Sequence, residues 1–340
     1  MEVYLKDLAN QVVKARAIAG GISLPSSFIR RPEKVLYCGM GGSAISGDIL
    51  GTIAQSRSRI HWTVNRTSRL PEWVDSKTVV ILSSYSGNTD EVESIFEQAV
   101  ARKAHFLVVA SGGRLAEEAL KRKIPFFRLP RGYPPRFAIG YTTFSLLFLF
   151  MRCRWFSVSD KEIKEVLRGS RHLPEAEARK LAKRLFDKNV AIYGGGLMQS
   201  VALRWRTQFA ENAKMLASCE ALPEMFHHEV EGWIFPKFKI KRSVAIFLTD
   251  RNEPEWLFKK KKVAMKAIRE HGAGVVEVKA RGEGVLARIF SMIMLGDWTS
   301  CELAKLYKVD PMSVEVIDRI KKAVHPVNGS SVRKRTSGSL

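Results

Sequence analysis

Two loops of this 340-residue chain concentrate groups suited to gripping an anion. The first, Gly39-Met40-Gly41-Gly42-Ser43-Ala44-Ile45-Ser46-Gly47-Asp48, follows a short apolar run and opens a helical stretch. Glycines let backbone amides approach an anion with no Cβ in the way, and a helix start adds partial positive charge. The loop lacks the Gly-Lys-Ser/Thr ending of a nucleotide-phosphate loop, and its spacing after Gly41 does not match a dinucleotide fingerprint. The second, Ser83-Ser84-Tyr85-Ser86-Gly87-Asn88-Thr89-Asp90-Glu91, sets four Ser/Thr hydroxyls within seven residues between a strand-like run and a helix that Thr89 is placed to cap. Either loop alone reads equally as an ordinary turn. Two of them at the ends of two strands of one sheet read as a phosphate site.

The elements that must position these loops alternate short apolar runs with longer helical stretches. Val35–Cys38, Thr78–Leu82, Phe106–Ala110 and Phe126–Leu129 predict strands, which with helices between them imply a parallel sheet covered on both faces. Helices are expected from Ile139 and from Asp160. After the charged stretch His172–Lys188 the pattern restarts with Val190–Tyr193 and Gly194-Gly195-Gly196. Ser243–Leu248 and Val275–Val278 then predict strands, and Ala287–Tyr307 and Ser313–Val324 predict helices. The pairing of Val35–Gly39 with Val190–Gly194 suggests two copies of one α/β layout, so ligands are expected at the carboxyl ends of the strands.

Composition bounds the remainder. About 150 residues per domain gives two domains, and 46% apolar with 26% charged residues excludes a disordered or collagen-like chain. Ile139–Met151 is too short and too polar to span a bilayer and predicts a buried helix. The first 30 residues carry no charged-then-apolar export pattern, so the expected location is cytoplasmic. Cys38, Cys153, Cys219 and Cys301 lie far apart, which predicts isolated buried thiols rather than a redox pair or zinc site. The net charge of +22 attracts phosphate in any form, but the basic residues are scattered and nucleic acid is not the expected partner.

Ser84-Tyr85-Ser86-Gly87-Asn88-Thr89, preceded by Gly41-Gly42-Ser43, resembles the sugar isomerase (SIS) domain, whose members bind phosphosugars. From about residue 20 to 325 the chain resembles the bifunctional phosphoglucose/phosphomannose isomerases of that superfamily. Pro135-Arg136-Phe137-Ala138-Ile139-Gly140-Tyr141, Glu211-Asn212-Ala213-Lys214 and Leu222-Pro223-Glu224-Met225-Phe226-His227-His228-Glu229 carry the narrower likeness. The resemblance implies an α/β fold of two SIS-type subdomains, each a parallel β-sheet flanked by helices. They are expected over residues 1–155, with an N-terminal helix, and 156–326, before a disordered basic tail over 327–340. It also implies a homodimer with active sites at shared interfaces. The implied reaction is aldose–ketose isomerisation of hexose 6-phosphates in central carbohydrate metabolism, glycolysis and gluconeogenesis, with no metal or organic cofactor.

Carried over residue by residue, the substrate phosphate falls to Gly42, Ser43, Ser84, Ser86 and Thr89, the proton-moving base to Glu211 and ring opening to His227. Elementary chemistry agrees with these roles. A proton beside a carbonyl is weakly acidic, so a carboxylate must sit over it while a cation stabilises the enediolate, and Glu211 with Arg136 fits that pair. An imidazole near neutral pKa can give one proton and take another as a sugar ring opens. Without the resemblance, Glu211 reads as a solvated helix carboxylate and His227 as a bonded core histidine.

His228 stands where relatives carry Asn. Lys321, at the family's offset from Asp310, is implied to reach the active site and otherwise reads as a basic helix end. Val314 stands where some relatives of the family place a Thr that the resemblance links to acceptance of both sugar epimers, with Ser313 beside it. Two other readings keep the loops. A non-catalytic phosphosugar sensor would need a DNA-reading unit that 30 residues cannot supply. An amino-sugar phosphate isomerase would need an amine site.

Overall fold

The computed structural model describes residues 1–25, 28 and 30–324; the tail expected over 327–340 lies outside them. The chain begins with helices α1 (Glu2–Lys6) and α2 (Leu8–Gly21). Strands and helices then alternate through β1 (Lys34–Gly39), α3 (Gly41–Arg57), β2 (His61–Asn65), β3 (Thr78–Ser83), α4 (Asp90–Ala101), β4 (His105–Ala110), α5 (Gly113–Lys121) and β5 (Phe126–Arg128). The strands pair in parallel in the order β2-β1-β3-β4-β5. Every residue of β3 is buried, as expected of a central parallel strand with helices on both faces.

A 3₁₀ turn at Pro135–Phe137 leads into α6 (Ile139–Arg152), followed by α7 (Asp160–Gly169) and α8 (Glu175–Leu185). Helix α6 is the apolar stretch of the sequence, and it is buried at every residue from Ile139 to Phe150. The second unit runs β6 (Asn189–Gly195), α9 (Gln199–Ala213), β7 (Ala217–Leu222), 3₁₀ turns at Glu224–His227 and Glu229–Trp233, α10 (Lys237–Lys241), β8 (Ser243–Thr249), α11 (Glu255–Glu270), β9 (Gly274–Lys279), α12 (Gly284–Tyr307) and α13 (Glu315–Val324). Its parallel sheet has the order β7-β6-β8-β9. Thus β6, β7, β8 and β9 repeat the positions of β1, β2, β3 and β4. The strands of the first sheet end at Arg128 and those of the second begin at Asn189; residue 155 lies between α6 and α7.

One continuous apolar core joins the two units. Val35, Tyr37 and Ile81 of the first sheet and Ile192 and Ile246 of the second share it with residues of α6, α9 and α12, while each outer sheet face has its own cluster. Helices α9 and α12 cross closely. A Cβ on Gly296 would sit 2.2 Å from the Trp205 indole nitrogen, which donates to the Met292 carbonyl at 2.8 Å. Beside this crossing lies a buried ion pair, Arg204 with Asp297, at 2.7 and 3.0 Å.

Two strands are absent from the sequence reading. β2 and β7 are short edge strands, and β7, Ala217-Ser218-Cys219-Glu220-Ala221-Leu222, has no β-branched residue. It is extended because β6 pairs with it, a tertiary effect that overrides local preference. Three cysteines are buried as expected, whereas Cys219 on this edge strand is only half-buried.

Candidate active site

Both anion-suited loops lie at the carboxyl edge of the first sheet, where Gly39 of β1 pairs with Ser83 of β3. Gly41 opens α3 at φ +49° with nothing within 4 Å of where a Cβ would stand, so backbone conformation rather than space requires glycine there. Gly42 is different. A Cβ on it would lie 3.0 Å from the Arg136 Cα, so its bareness lets the first turn of α3 rest on the backbone of Pro135-Arg136.

The Tyr85 amide donates to the Ser43 hydroxyl at 3.2 Å, tying the two loops together. In the second loop the Ser84 hydroxyl is 2.8 Å from that of Thr89 and 3.5 Å from that of Ser86, and it accepts from the Gly87 amide at 3.0 Å. Ser84 is buried, Thr89 half-buried and Ser86 exposed, so the cluster opens outward at the start of α4. Thr89 precedes α4 as expected, but its side chain makes no capping bond to the helix and meets Ser84 instead. The Tyr85 hydroxyl donates to the Pro130 carbonyl at 2.6 Å and accepts from the Tyr133 amide at 3.1 Å, anchoring the loop to the segment that leads into Arg136.

Arg136 joins two remote segments, the end of α9 and the stretch before α13. Its Nε donates to Asn212 Oδ1 at 2.7 Å, Nη1 lies 3.3 Å from Glu211 Oε1, and Nη2 donates to the Pro311 carbonyl at 2.7 Å. Its side chain is 4% exposed, whereas that of Glu211 keeps 30% exposure. The pair therefore combines a fixed buried cation with a carboxylate still open to a ligand. Burial pulls the guanidinium pKa down and the neighbouring Glu211 charge pushes it back up. A guanidinium stays charged through such shifts.

Residues behind this pair hold it in place. Asn212 Nδ2 donates to Ser300 Oγ at 2.9 Å, and Arg204 Nη2 donates to the Arg136 carbonyl at 2.9 Å while binding Asp297. Lys214 ends α9 in the left-handed conformation, φ 55°, and its ammonium donates to the carbonyls of Glu211, Asp310 and Ser313 at 2.9, 2.7 and 2.7 Å. Burial, then the charge of Arg136, lowers its pKa. Asn212 and Lys214 lie in the Glu211-Asn212-Ala213-Lys214 segment, whose sequence does not show their positioning work. Arg204 and Asp297 are not evident from the sequence; the available signal for Arg204 was a charged residue between the apolar Leu203 and Trp205.

No hydrogen bond or ion pair links His227 or Lys321 to this pair among the described residues. His227 is exposed on the 3₁₀ turn after β7. Met225, two residues earlier, is buried with Ala191 and Tyr193 on the outer face of the second sheet, while Val201, Trp205 and Phe209 of α9 pack with Val190 and Ile192 on the inner face. Glu211 and His227 thus belong to opposite faces of that sheet. His228 lies 3.6 Å from Glu224, away from the site. Lys321 sits on α13, which buries no residue. Val314 is half-buried, and the Ser313 hydroxyl donates to Glu315 at 3.1 Å.

Comparisons with known proteins agree with this architecture. Residues 174–324 match the family model of the bacterial phospho-glucose isomerase C-terminal SIS domain. The chain is 36% identical to a bifunctional phosphoglucose/phosphomannose isomerase of Caldicellulosiruptor bescii, over 93% of this chain and 96% of that one. It is 32% identical to its namesake in Aquifex aeolicus, over 84% and 89%. Among solved structures, the tagatose-6-phosphate ketose/aldose isomerase of Escherichia coli superposes with a TM-score of 0.70 at 15% identity, over 91% of this chain and 93% of that one. A hypothetical protein of Thermus thermophilus superposes with a TM-score of 0.73 at 16% identity, over 95% and 90%. With two parallel sheets flanked by helices, and relatives above 30% identity along nearly its whole length, the chain belongs to the bifunctional phosphoglucose/phosphomannose isomerase family.

Proposed function

We propose that this protein interconverts glucose 6-phosphate and mannose 6-phosphate with fructose 6-phosphate, and that the Arg136–Glu211 pair beside the serine loop is its reacting centre. The observation that carries this reading is the 3.3 Å approach of a buried guanidinium to a half-open carboxylate at the edge that holds both hydroxyl loops. The hydroxyls of Ser43, Ser84, Ser86 and Thr89 take the phosphate and fix the sugar's reactive end over Glu211. In the open-chain aldose, Glu211 removes the C2 proton. The C–H electron pair forms the C1–C2 double bond, and the carbonyl pair moves to O1, where Arg136 stabilises the charge. Glu211 returns the proton to C1, the O2 hydroxyl proton passes to O1, and the ketose results. Return of the proton to either face of C2 in the reverse direction yields both aldose epimers.

Cyclic substrate must first open, and we assign that step to His227 of a second copy. A face of α13 leaves Val316, Ile317, Ile320 and Val324 exposed, and His227 is exposed with no hydrogen bond to Glu211 among the described residues; both features suit a homodimer whose sites are shared. A coupled assay with each hexose 6-phosphate in turn tests the reading, together with Glu211→Gln. Turnover of all three sugars by the parent, and a loss of roughly 10²–10⁴-fold in kcat with substrate binding retained in the variant, is expected. No turnover of any hexose 6-phosphate, or a fully active variant, refutes it.

A further inference from the structure

The second sheet has a carboxyl edge of its own, and a 940 Å³ cleft lies over it, within the size range of small-molecule sites. Its floor repeats the first site with altered chemistry. Gly195 caps and Gly196 opens the 3₁₀ turn that leads into α9, as Met40 caps and Gly41 opens α3, and Gly196 takes φ +50° where Gly41 takes +49°. The segment after β8, Thr249-Asp250-Arg251-Asn252-Glu253, stands where the serine loop follows β3.

Here the anion-binding groups are used internally. The Thr249 hydroxyl accepts from Lys261 at 2.8 Å and bonds Glu277 at 3.0 Å. The Asp250 amide donates to Glu253 at 3.1 Å and the Asn252 amide to Asp250 at 2.8 Å. Carboxylates of the chain thus hold amides that a phosphate would need. Those carboxylates are neutralised in turn, Asp250 by Arg288, Glu253 by Lys261 and Asp48 by Arg66. Glu220 alone among the lining carboxylates has no ion pair among the described residues; it accepts from the Ala221 amide at 2.7 Å.

What remains open is neutral and polar. Ser200, 5% exposed in the first turn of α9, lies against the cleft, but its hydroxyl oxygen is shielded from solvent and has no hydrogen-bond partner among the described residues. The amides of Gln55, Gln199 and Asn252, each able to donate and accept, face the same space, and Trp256 lines it with half its surface exposed. Donor–acceptor amides, one carboxylate and an indole suit a ligand with many hydroxyls and an apolar C–H face. No group of three or more His, Cys, Asp or Glu side chains able to hold a metal ion occurs among the described residues.

We propose that this cleft binds an unphosphorylated sugar, with Glu220, Gln55 and Gln199 meeting its hydroxyls and the Trp256 indole its C–H face. It binds without converting. Where α9 ends in Glu211 at the reacting centre, α3 ends in Gln55-Ser56-Arg57, and Arg57 is committed to Glu162 at 2.6 Å.

Calorimetric titration of the full chain with D-glucose, D-mannose and D-glucosamine tests this, in the parent, in the Ser84→Ala/Ser86→Ala/Thr89→Ala variant, and in Trp256→Ala and Glu220→Gln. Saturable binding of at least one sugar is expected, retained in the serine-loop variant, untouched by inorganic phosphate, and weakened about tenfold in the two cleft variants. Glu220→Gln keeps the shape of its side chain, so it carries the test should Trp256→Ala fold poorly. The absence of saturable binding overturns the proposal. Competition by inorganic phosphate, or loss of binding in the serine-loop variant with the cleft variants unaffected, overturns it equally, because the sugar would then occupy the catalytic site.

Discussion

If Glu211 and His227 lie on opposite faces of one sheet, two inactive variants should repair each other when mixed. Glu211→Gln leaves His227 intact, and His227→Ala leaves Glu211 intact. Each homodimer then lacks one required group at both of its sites and should lose roughly 10²-fold or more on cyclic substrate. In a two-fold symmetric dimer each site would take Glu211 from one chain and His227 from the other. A mixed dimer therefore contains one complete site and one site lacking both groups. Equal amounts of the two variants, unfolded and refolded together, give about half mixed dimers, and half of the sites in those are complete, so activity should return to roughly a quarter of the parent's. The assay is initial-rate conversion of fructose 6-phosphate to glucose 6-phosphate, with each variant refolded alone as the baseline. Activity of the mixture no higher than the mean of the two baselines would refute trans-acting His227 and require it to reach Glu211 within one chain. A monomer in solution with full activity would refute it as well.

Three further outcomes follow from the contacts. Ser84→Ala should raise KM more than Ser86→Ala, because Ser84 is the buried centre that meets Thr89, Ser86 and the Gly87 amide, and each lost bond to a charged phosphate is worth about 1.5–3 kcal/mol; steady-state kinetics on both variants decide it. Asn212→Ala removes the 2.7 Å partner of Arg136 Nε, and kcat should fall roughly 10–100-fold with a smaller change in KM; unchanged kcat would show that Asn212 does not position Arg136. Glu162 is bound by Arg57 at 2.6 and 3.0 Å and by the Ser159 amide at 3.1 Å; burial pushes its carboxyl up, but these donors hold it net below its ordinary value. Its stabilisation is then full above about pH 4.3 and is lost as pH falls through the lower folded pKa, so Glu162→Gln should lower Tm by about 2–4 °C at pH 7 and progressively less in acid. A Tm difference that grows on acidification would contradict the sign.

Features whose physics is local can be read from the chain alone. Apolar runs bounded by turn residues predict β1, β3, β4, β5, β6, β8 and β9. Gly41 and Gly87 mark turns that the structure holds at positive φ, and the serine loop was legible because its hydroxyls are neighbours along the chain. The edge strands were not, since β7 is extended by the β6 ladder and not by its own residues. Which remote groups meet is settled by packing. Arg136 reaches Glu211, Asn212 and the Pro311 carbonyl because α9 lies in the core shared by both units and ends at the carboxyl edge of the first sheet. The same packing sets the segment of His227 on the far face of the second sheet. Side-chain type and spacing state what chemistry a residue can do, but burial and helix packing are properties of the whole chain, and they determine where that chemistry is done.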